Sequence, residues 1–162
     1  MTRGEMNQLF ALIRLAWPNA PMLRPEKLKE TISFWTFCLP EVDFLTGQMA
    51  MIQLCRTSHY PPSIAQMRET AETIQKELEG EIHNALLAMR NPYYRGHGNP
   101  DRAAQAVALM GGEERLLIPV DEDTARFDIE GFRDAYRQVC QEETRQMIRA
   151  LSPHGDEPKR LQ

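Results

Sequence analysis

The sequence lacks most of the signals that mark an enzyme or a membrane protein. It has no glycine-rich phosphate loop with its lysine, no dinucleotide-binding fingerprint and no nucleophile elbow. No apolar run approaches the roughly 20 residues that a membrane-spanning helix needs. The start of the chain, Met1–Glu5, lacks the apolar core of a signal peptide. We therefore expect a cytoplasmic protein that has no catalytic site and no cofactor and does not enter a membrane.

Cysteines and aromatic residues are also scarce. The three cysteines, Cys38, Cys55 and Cys140, show no Cys-x-x-Cys spacing, so we expect buried free thiols in a reducing compartment. Glu79 and His83 are four residues apart but lack further ligands at a recognisable spacing, so we expect a hydrogen-bonded pair and no metal. Aromatic residues make up only 7% of the chain, and Met, Leu and Ala supply much of its apolar content, which favours helices over a sheet sandwich.

The chain has no excess of positive charge. Its formal net charge is −4, and the first 75 of its 162 residues carry seven basic and seven acidic side chains. The remainder carries twelve basic side chains against sixteen acidic ones. A nucleic-acid-binding domain usually shows a basic footprint, so direct DNA binding is not favoured, although a local basic patch would permit it.

Hydrophobic periodicity predicts an all-α fold, with a small N-terminal helical bundle followed by a helical C-terminal part that ends in a long helix. The bundle helices are expected at about 4–16, from Pro25, from Glu41 and from Ile64. Thr2 and Glu5 have the spacing of a capping box at the start of the first helix. The predicted segments are an N-terminal bundle at 1–79, a helix extension and linker at 80–100, a C-terminal helical region at 101–151 and a disordered tail at 152–162.

Further boundaries follow from glycines, caps and apolar spacing. We expect the fourth helix to continue through Gly80 to Met89, because the apolar period persists beyond the glycine. A helix capped by Asp101 and a last helix at about 124–151 are predicted next. The stretch 116–120 is the only short strand candidate.

In the second helix, the apolar spacing predicts a buried stripe, and we expect the aromatic residues around it to be core. The stripe consists of Leu28, Ile32, Trp35 and Leu39. The neighbouring Phe34 and Phe37 belong to this aromatic region.

The segment Thr57–Met67 predicts a rigid corner between two helices. Pro61 and Pro62 fix φ and lack N–H groups, so they must be extended. Ser63 and Gln66 have the spacing of a capping box, in which each residue's side chain bonds the other's backbone N–H. A helix is therefore expected to start directly after the prolines.

Several short motifs together resemble a known family. They are Ala16-Trp17-Pro18, Ile32-Ser33-Phe34-Trp35, Leu39-Pro40-Glu41-Val42 and Tyr60–Met67. Over about residues 6–73 the sequence resembles the phage-encoded loader and inhibitor proteins of the replicative DNA helicase. The resemblance implies a non-enzymatic protein of a phage or prophage. Such a protein binds the hexameric helicase in the bacterial cytoplasm, restrains its ATPase and its engagement with DNA, and hands it to an origin-bound initiator.

This sequence departs from that family in its C-terminal half. In the family a largely disordered C-terminal portion contacts the helicase, whereas here the apolar pattern predicts folded helices, so the contact cannot be transferred residue by residue. We take as candidate partner-binding residues an aromatic–basic loop cluster and the arginines of the last helix. They are Tyr93, Tyr94, Arg95, Arg133, Arg137, Arg145 and Arg149.

Two other functions remain open at the level of sequence. The segment Tyr60–Met67 also resembles the entry to a helix-turn-helix, which would indicate a DNA-binding regulator or an initiator-type protein. Glu69 and Glu72 follow it, however, and the turn glycine of that motif is missing. The other alternative is a helical protein-interaction module of a different kind.

Overall fold

The computed structural model describes residues 1–90, 98–113, 117–119 and 125–151, and within these ranges it contains six α-helices and one short β-hairpin. The helices are α1 (Arg3–Ala16), α2 (Pro25–Cys38), α3 (Phe44–Thr57), α4 (Ile64–Arg90), α5 (Pro100–Leu109) and α6 (Ile129–Leu151). A 3-10 turn at Pro21–Leu23 precedes α2. Strands β1 (Leu117–Pro119) and β2 (Ala125–Phe127) pair antiparallel, with Leu117 opposite Phe127. The all-α class is confirmed. Residues 152–162, predicted to be a tail, lie outside the described residues.

Two predicted capping boxes are confirmed. At the start of α1, the Glu5 N–H donates to Thr2 Oγ1 at 3.2 Å, and the Thr2 N–H donates to Glu5 Oε2 at 2.7 Å. At the corner before α4, the Gln66 N–H donates to Ser63 Oγ at 3.2 Å, and the Ser63 N–H donates to Gln66 Oε1 at 2.9 Å. Each box satisfies N–H groups that a helix start leaves without partners.

Two other helix starts differ from prediction because a nearby Asx side chain provides the cap. Helix α3 begins at Phe44, not at Glu41, since the Asp43 carboxylate accepts a backbone N–H of its first turn at 3.1 Å. In α5 the cap is Asn99, not Asp101, because the Asn99 amide oxygen accepts two backbone N–H groups. Short Asx side chains are among the strongest N-caps, and here they decided between neighbouring candidates.

The predicted start of the last helix at residue 124 was wrong. Residues 125–127 form β2, and α6 begins at Ile129 behind Asp128. The Asp128 carboxylate accepts the Gly131 N–H at 2.9 Å, as an N-cap does. Within the candidate strand 116–120, β1 occupies 117–119. By contrast, the predicted continuation of α4 through Gly80 is confirmed, because the helix runs unbroken to Arg90.

The chain divides into two compact units. The first unit comprises Met1–Gln75 and Gln146–Gln162, and the second comprises Lys76–Arg145. Helices α4 and α6 each contribute residues to both units. The predicted segment boundaries therefore remain a prediction, and the grouping of the end of α6 with the first unit is a feature they did not include.

The core of the first unit is built from the apolar stripes of α1, α2, α3 and the first half of α4. Phe10 of α1 meets Trp35 of α2 edge-on, with ring centroids 5.3 Å apart. Helices α1 and α3 approach closely at Gly47, where a Cβ atom would lie 3.4 Å from Leu9 Cδ1 of α1 and 3.1 Å from Met1 Sδ. Ile148 of α6 also packs in this core.

The second unit has its own buried residues on α4, α5 and α6. Its largest buried side chains belong to Tyr136, Phe132, Leu78 and Ile82. The Phe132 and Tyr136 rings are 5.8 Å apart and tilted by 52°. Only Ala106 of α5 is buried, so this helix contributes little apolar area to the unit.

Candidate protein-interaction surfaces

The predicted loop cluster lies outside the described residues. Tyr93, Tyr94 and Arg95 fall between the two described ranges 1–90 and 98–113. The structure therefore does not place them, and their role in partner binding stays a prediction.

The first two predicted arginines of α6 are engaged inside the second unit. Arg137 Nη2 lies 2.7 Å from Glu79 Oε1, and Arg133 Nε lies 3.6 Å from Glu79 Oε2. Arg133 also lies 3.5 Å from the carboxylate of Glu130. Both guanidinium groups are half-buried, so a partner would have to compete with these carboxylates for their charge.

The other two predicted arginines, Arg145 and Arg149, are exposed on α6. Arg145 belongs to the second unit and lies 3.6 Å from the carboxylate of Glu142, one helical turn away. Arg149 belongs to the first unit. The exposed ion pair between Arg145 and Glu142 contributes little to stability and leaves Arg145 accessible. Arg133 and Arg137 are therefore bound to carboxylates within the second unit, whereas Arg145 and Arg149 are exposed. The role of all four arginines in partner binding stays a prediction.

A polar cluster that the sequence did not reveal surrounds Arg102 of α5. Its Nη1 atom lies 2.7 Å from Glu81 Oε2 on α4, and its Nε atom lies 2.8 Å from Glu143 Oε2 on α6. The hydroxyl of Tyr136 donates to the same Glu81 oxygen at 3.0 Å. The partners are 21 and 41 residues away from Arg102, so no local spacing could have indicated them.

Burial and charge together shift two pKa values in this cluster. Burial raises the pKa of Tyr136, and the neighbouring Glu81 carboxylate raises it further. Burial also raises the pKa of the Cys140 thiol to about 11, against the opposing effect of Arg102. Both groups therefore stay protonated at neutral pH. The cluster joins α4, α5 and α6 of the second unit and supplies no free nucleophile or base.

The cleft between α4 and α5 is mainly apolar. It has a volume of about 510 Å³ and is lined mainly by small side chains, among them Ala85, Ala88, Ala103 and Ala104. Glu113 contributes its one acidic side chain. Among the described residues, no group of three His, Cys, Asp or Glu side chains could hold a metal ion. No helix in the described ranges is long and apolar enough to cross a bilayer.

Helix α2 carries an exposed aromatic pair. Ile32, Trp35 and Leu39 of the predicted stripe are buried, as expected. The expectation that the adjoining aromatic residues are core was wrong, because Phe34 is 59% exposed and Phe37 is 81% exposed. The two phenylalanines are three residues apart and so share one face of the helix, which points away from the packed stripe.

Glu30 lies on the same face, one turn before Phe34. At 100° per residue it falls within about 10° of the midline between the two phenylalanines. Its carboxylate is exposed and forms no ion pair with any residue that the structure describes. We refer to Glu30, Phe34 and Phe37 together as the α2 aromatic face.

The C-terminal end of α2 is tied to α4. Arg68 Nη2 donates to the Cys38 carbonyl, which belongs to the last turn of α2 and has no partner within the helix. Arg68 Nε lies 2.7 Å from Glu41 Oε1. A backbone hydrogen bond and Arg68 lower the pKa of the Glu41 carboxyl. These contacts fix the turn that carries Phe37.

The N-terminal part of the chain matches a known protein family. Residues 1–68, that is 68 of 162, match the family model for the N-terminal domain of the phage gene 39 protein, a helicase-binding loader protein. The match spans α1, α2, α3 and the start of α4, and so includes the α2 aromatic face and the proline corner. It confirms the resemblance to the phage helicase loaders and inhibitors over this part. Comparisons with curated proteins and with solved structures give no significant match.

Proposed function

We propose that this chain, whose first 68 residues match the N-terminal domain of the phage gene 39 protein, is a phage or prophage DNA-replication accessory protein that binds the replicative hexameric DNA helicase and loads or inhibits it. It acts by binding and catalyses no reaction of its own. It works in the host cytoplasm, where that helicase operates. The family match carries this proposal, and the exposed aromatic pair within the matched segment supports it, because large apolar side chains on an ordered surface are typical of interaction sites.

The mechanism we propose is a linkage between partner binding and helicase state. A protein that binds the inactive helicase more tightly than the DNA-engaged form shifts the population toward the inactive one. A preference of about 1.4 kcal/mol changes the ratio of the two states tenfold. Release then requires a competitor, such as an origin-bound initiator protein or single-stranded DNA.

Binding and ATPase measurements test the proposal. The chain should co-elute with the purified cognate helicase and lower its DNA-stimulated ATPase rate in proportion to occupancy. Lack of association at micromolar concentrations of both proteins would refute the proposal.

A loading assay separates a loader from a simple inhibitor. In the presence of the cognate initiator, a loader should transfer the helicase to single-stranded DNA and restore unwinding. An inhibitor should keep the helicase off DNA under the same conditions.

The alternative of a DNA-binding regulator has a separate test. Glu69 and Glu72 are exposed on α4 directly after the proline corner, and carboxylates there would repel phosphates. We therefore expect weak binding in a DNA shift assay. A tight complex with a steep salt dependence would favour the DNA-binding function instead.

A further inference from the structure

We infer that the α2 aromatic face is a surface by which the N-terminal unit docks on the helicase, in addition to any contact made by the C-terminal half, and that its counterpart is an apolar pocket with an arginine at its rim. This inference rests on the proposed function and adds to it the contact surface and the chemistry of the partner.

The exposed position of the two phenylalanines is not required for folding of the first unit. The opposite stripe of α2 already fills the core, where Trp35 packs against Phe10. Phe37 projects from the surface at 81% exposure although it lies on a regular helix. Burying such a side chain in a partner's pocket recovers the free energy that its contact with water costs.

The face is also held in place before any partner arrives. The Phe10–Trp35 contact anchors the C-terminal third of α2, and Arg68 donates a hydrogen bond to the Cys38 carbonyl beside Phe37. A rigid aromatic anchor loses little conformational entropy on binding, which is the property that makes such residues strong contributors to affinity.

The charge of the α2 aromatic face indicates which kind of pocket on the partner fits it. Glu26 and Lys27 flank the face at about 50° on either side and offset each other, so Glu30, near the midline, sets the sign of its charge. A guanidinium group can bond a carboxylate with two N–H groups and stack on an aromatic ring with its flat side. An arginine at the rim of an apolar pocket therefore matches Glu30 and Phe34 together.

DNA and a second copy of this chain fit the α2 aromatic face less well. Phosphates of DNA would meet Glu30 with no free basic group on the midline to balance it. A second copy of this chain, placed by two-fold symmetry, would bring the acidic face against itself, and like charges in an interface are unfavourable.

Biolayer interferometry, which measures binding of variants of the whole chain to the purified cognate helicase, tests the inference. The double substitution Phe34→Ala and Phe37→Ala should raise Kd at least about tenfold, as loss of a central anchor does. Glu30→Arg should also weaken binding, by about three- to tenfold. Glu30→Gln should flatten the dependence of Kd on salt concentration, because it removes the charge and keeps the shape.

Tyr60→Ala is the matched control. Tyr60 is 79% exposed, close to the exposure of Phe37, but it lies at the corner between α3 and α4. Its loss should leave Kd unchanged. Every variant should keep the wild-type circular dichroism spectrum and thermal midpoint, since the substituted side chains are exposed.

The outcomes separate this inference from the proposed function. If the wild-type chain binds the helicase and the double variant binds equally well, the assigned surface is wrong and the proposed function stands. If the wild-type chain does not bind, the proposed function fails and the assignment fails with it. A wild-type dimer in sedimentation experiments that dissociates in the double variant would assign the face to self-association, and loss of DNA binding alone would assign it to DNA; either result overturns the inference.

Discussion

Arg102 connects three helices of the second unit through two carboxylates. It is the only long polar side chain of α5 with ion pairs to both α4 and α6 among the described residues. Because α5 buries only Ala106, this cluster contributes a large part of its attachment. A guanidinium group with two close carboxylates is stabilised by charge-assisted hydrogen bonds that are stronger than neutral ones.

Replacing Arg102 tests this role. Arg102→Met keeps the length of the side chain but leaves Glu81 and Glu143 without their shared counter-charge. We expect the free energy of unfolding to fall by about 1–3 kcal/mol, less than for a fully buried pair because the carboxylates are partly exposed. Urea titration followed by circular dichroism measures it. Arg145→Met, which removes an exposed arginine on α6, should cost less than about 0.5 kcal/mol; equal losses would contradict the prediction.

The buried thiol of Cys140 gives a prediction about alkaline pH. An ordinary thiol loses its proton near pH 9, whereas in the folded protein the pKa of Cys140 is raised to about 11. Between these values the unfolded chain binds fewer protons than the folded one, so stability falls as the pH rises. The contribution is complete below about pH 9 and is lost toward pH 11. Unfolding free energies of the wild type and Cys140→Ala, measured from pH 8 to 11, should show the steeper decline in the wild type. Parallel pH profiles would contradict this expectation.

At the scale of elements, two helical glycines have opposite surroundings. Gly80 lies inside α4 with no atom within 4 Å of a would-be Cβ, whereas at Gly47 in α3 that atom would meet the side chains of Met1 and Leu9. The first glycine only weakens its helix. The second permits the close approach of α1 and α3.

Substitutions at the two glycines should change stability in opposite directions. Gly80→Ala should raise the free energy of unfolding by about 0.5–1 kcal/mol through helix propensity. Gly47→Leu should lower it by about 1–3 kcal/mol, because the added atoms overpack the contact between α1 and α3. Thermal unfolding followed by circular dichroism at 222 nm measures both. A stabilising Gly47→Leu would show that α1 and α3 are not closely packed there.

At the scale of the whole molecule, the last turns of α6 contribute to the core of the first unit, which is otherwise built from α1 to α4. Ile148 of α6 is buried in the first unit together with residues of α1 to α4. The family match ends at residue 68, so the matched segment alone lacks this contact. The last helix is therefore part of the stability of the N-terminal unit.

Tryptophan fluorescence measures this contribution selectively. Both tryptophans, Trp17 and Trp35, belong to the first unit. Ile148→Ala should lower the stability reported by their fluorescence in a urea titration by about 2–4 kcal/mol, the usual cost of truncating a buried isoleucine. Leu151→Ala, at an exposed position of the same helix, should have little effect. Unchanged fluorescence transitions in both variants would show that Ile148 does not contribute to the stability of the first unit.

The amino-acid sequence by itself determined the helical class, the course of α1, α2 and α4, the capping boxes and the proline corner. These features depend on residues within one or two turns of each other, so apolar period and side-chain chemistry are enough to specify them. The family resemblance also lies in this local pattern, around the corner and the Trp35 helix.

Only the tertiary structure decided which apolar residues stay outside the core and which distant charges meet. Phe37 is a large apolar residue of the kind usually found in a core, but the packing of Trp35 against α1 leaves Phe37 on the surface. Arg102 forms an ion pair with Glu143, which lies 41 residues further along the chain, and Ile148 packs in a core built mostly from the first 75 residues. Such pairings depend on how helices are placed in space, and the spacing of residues within one helix carries no information about that placement.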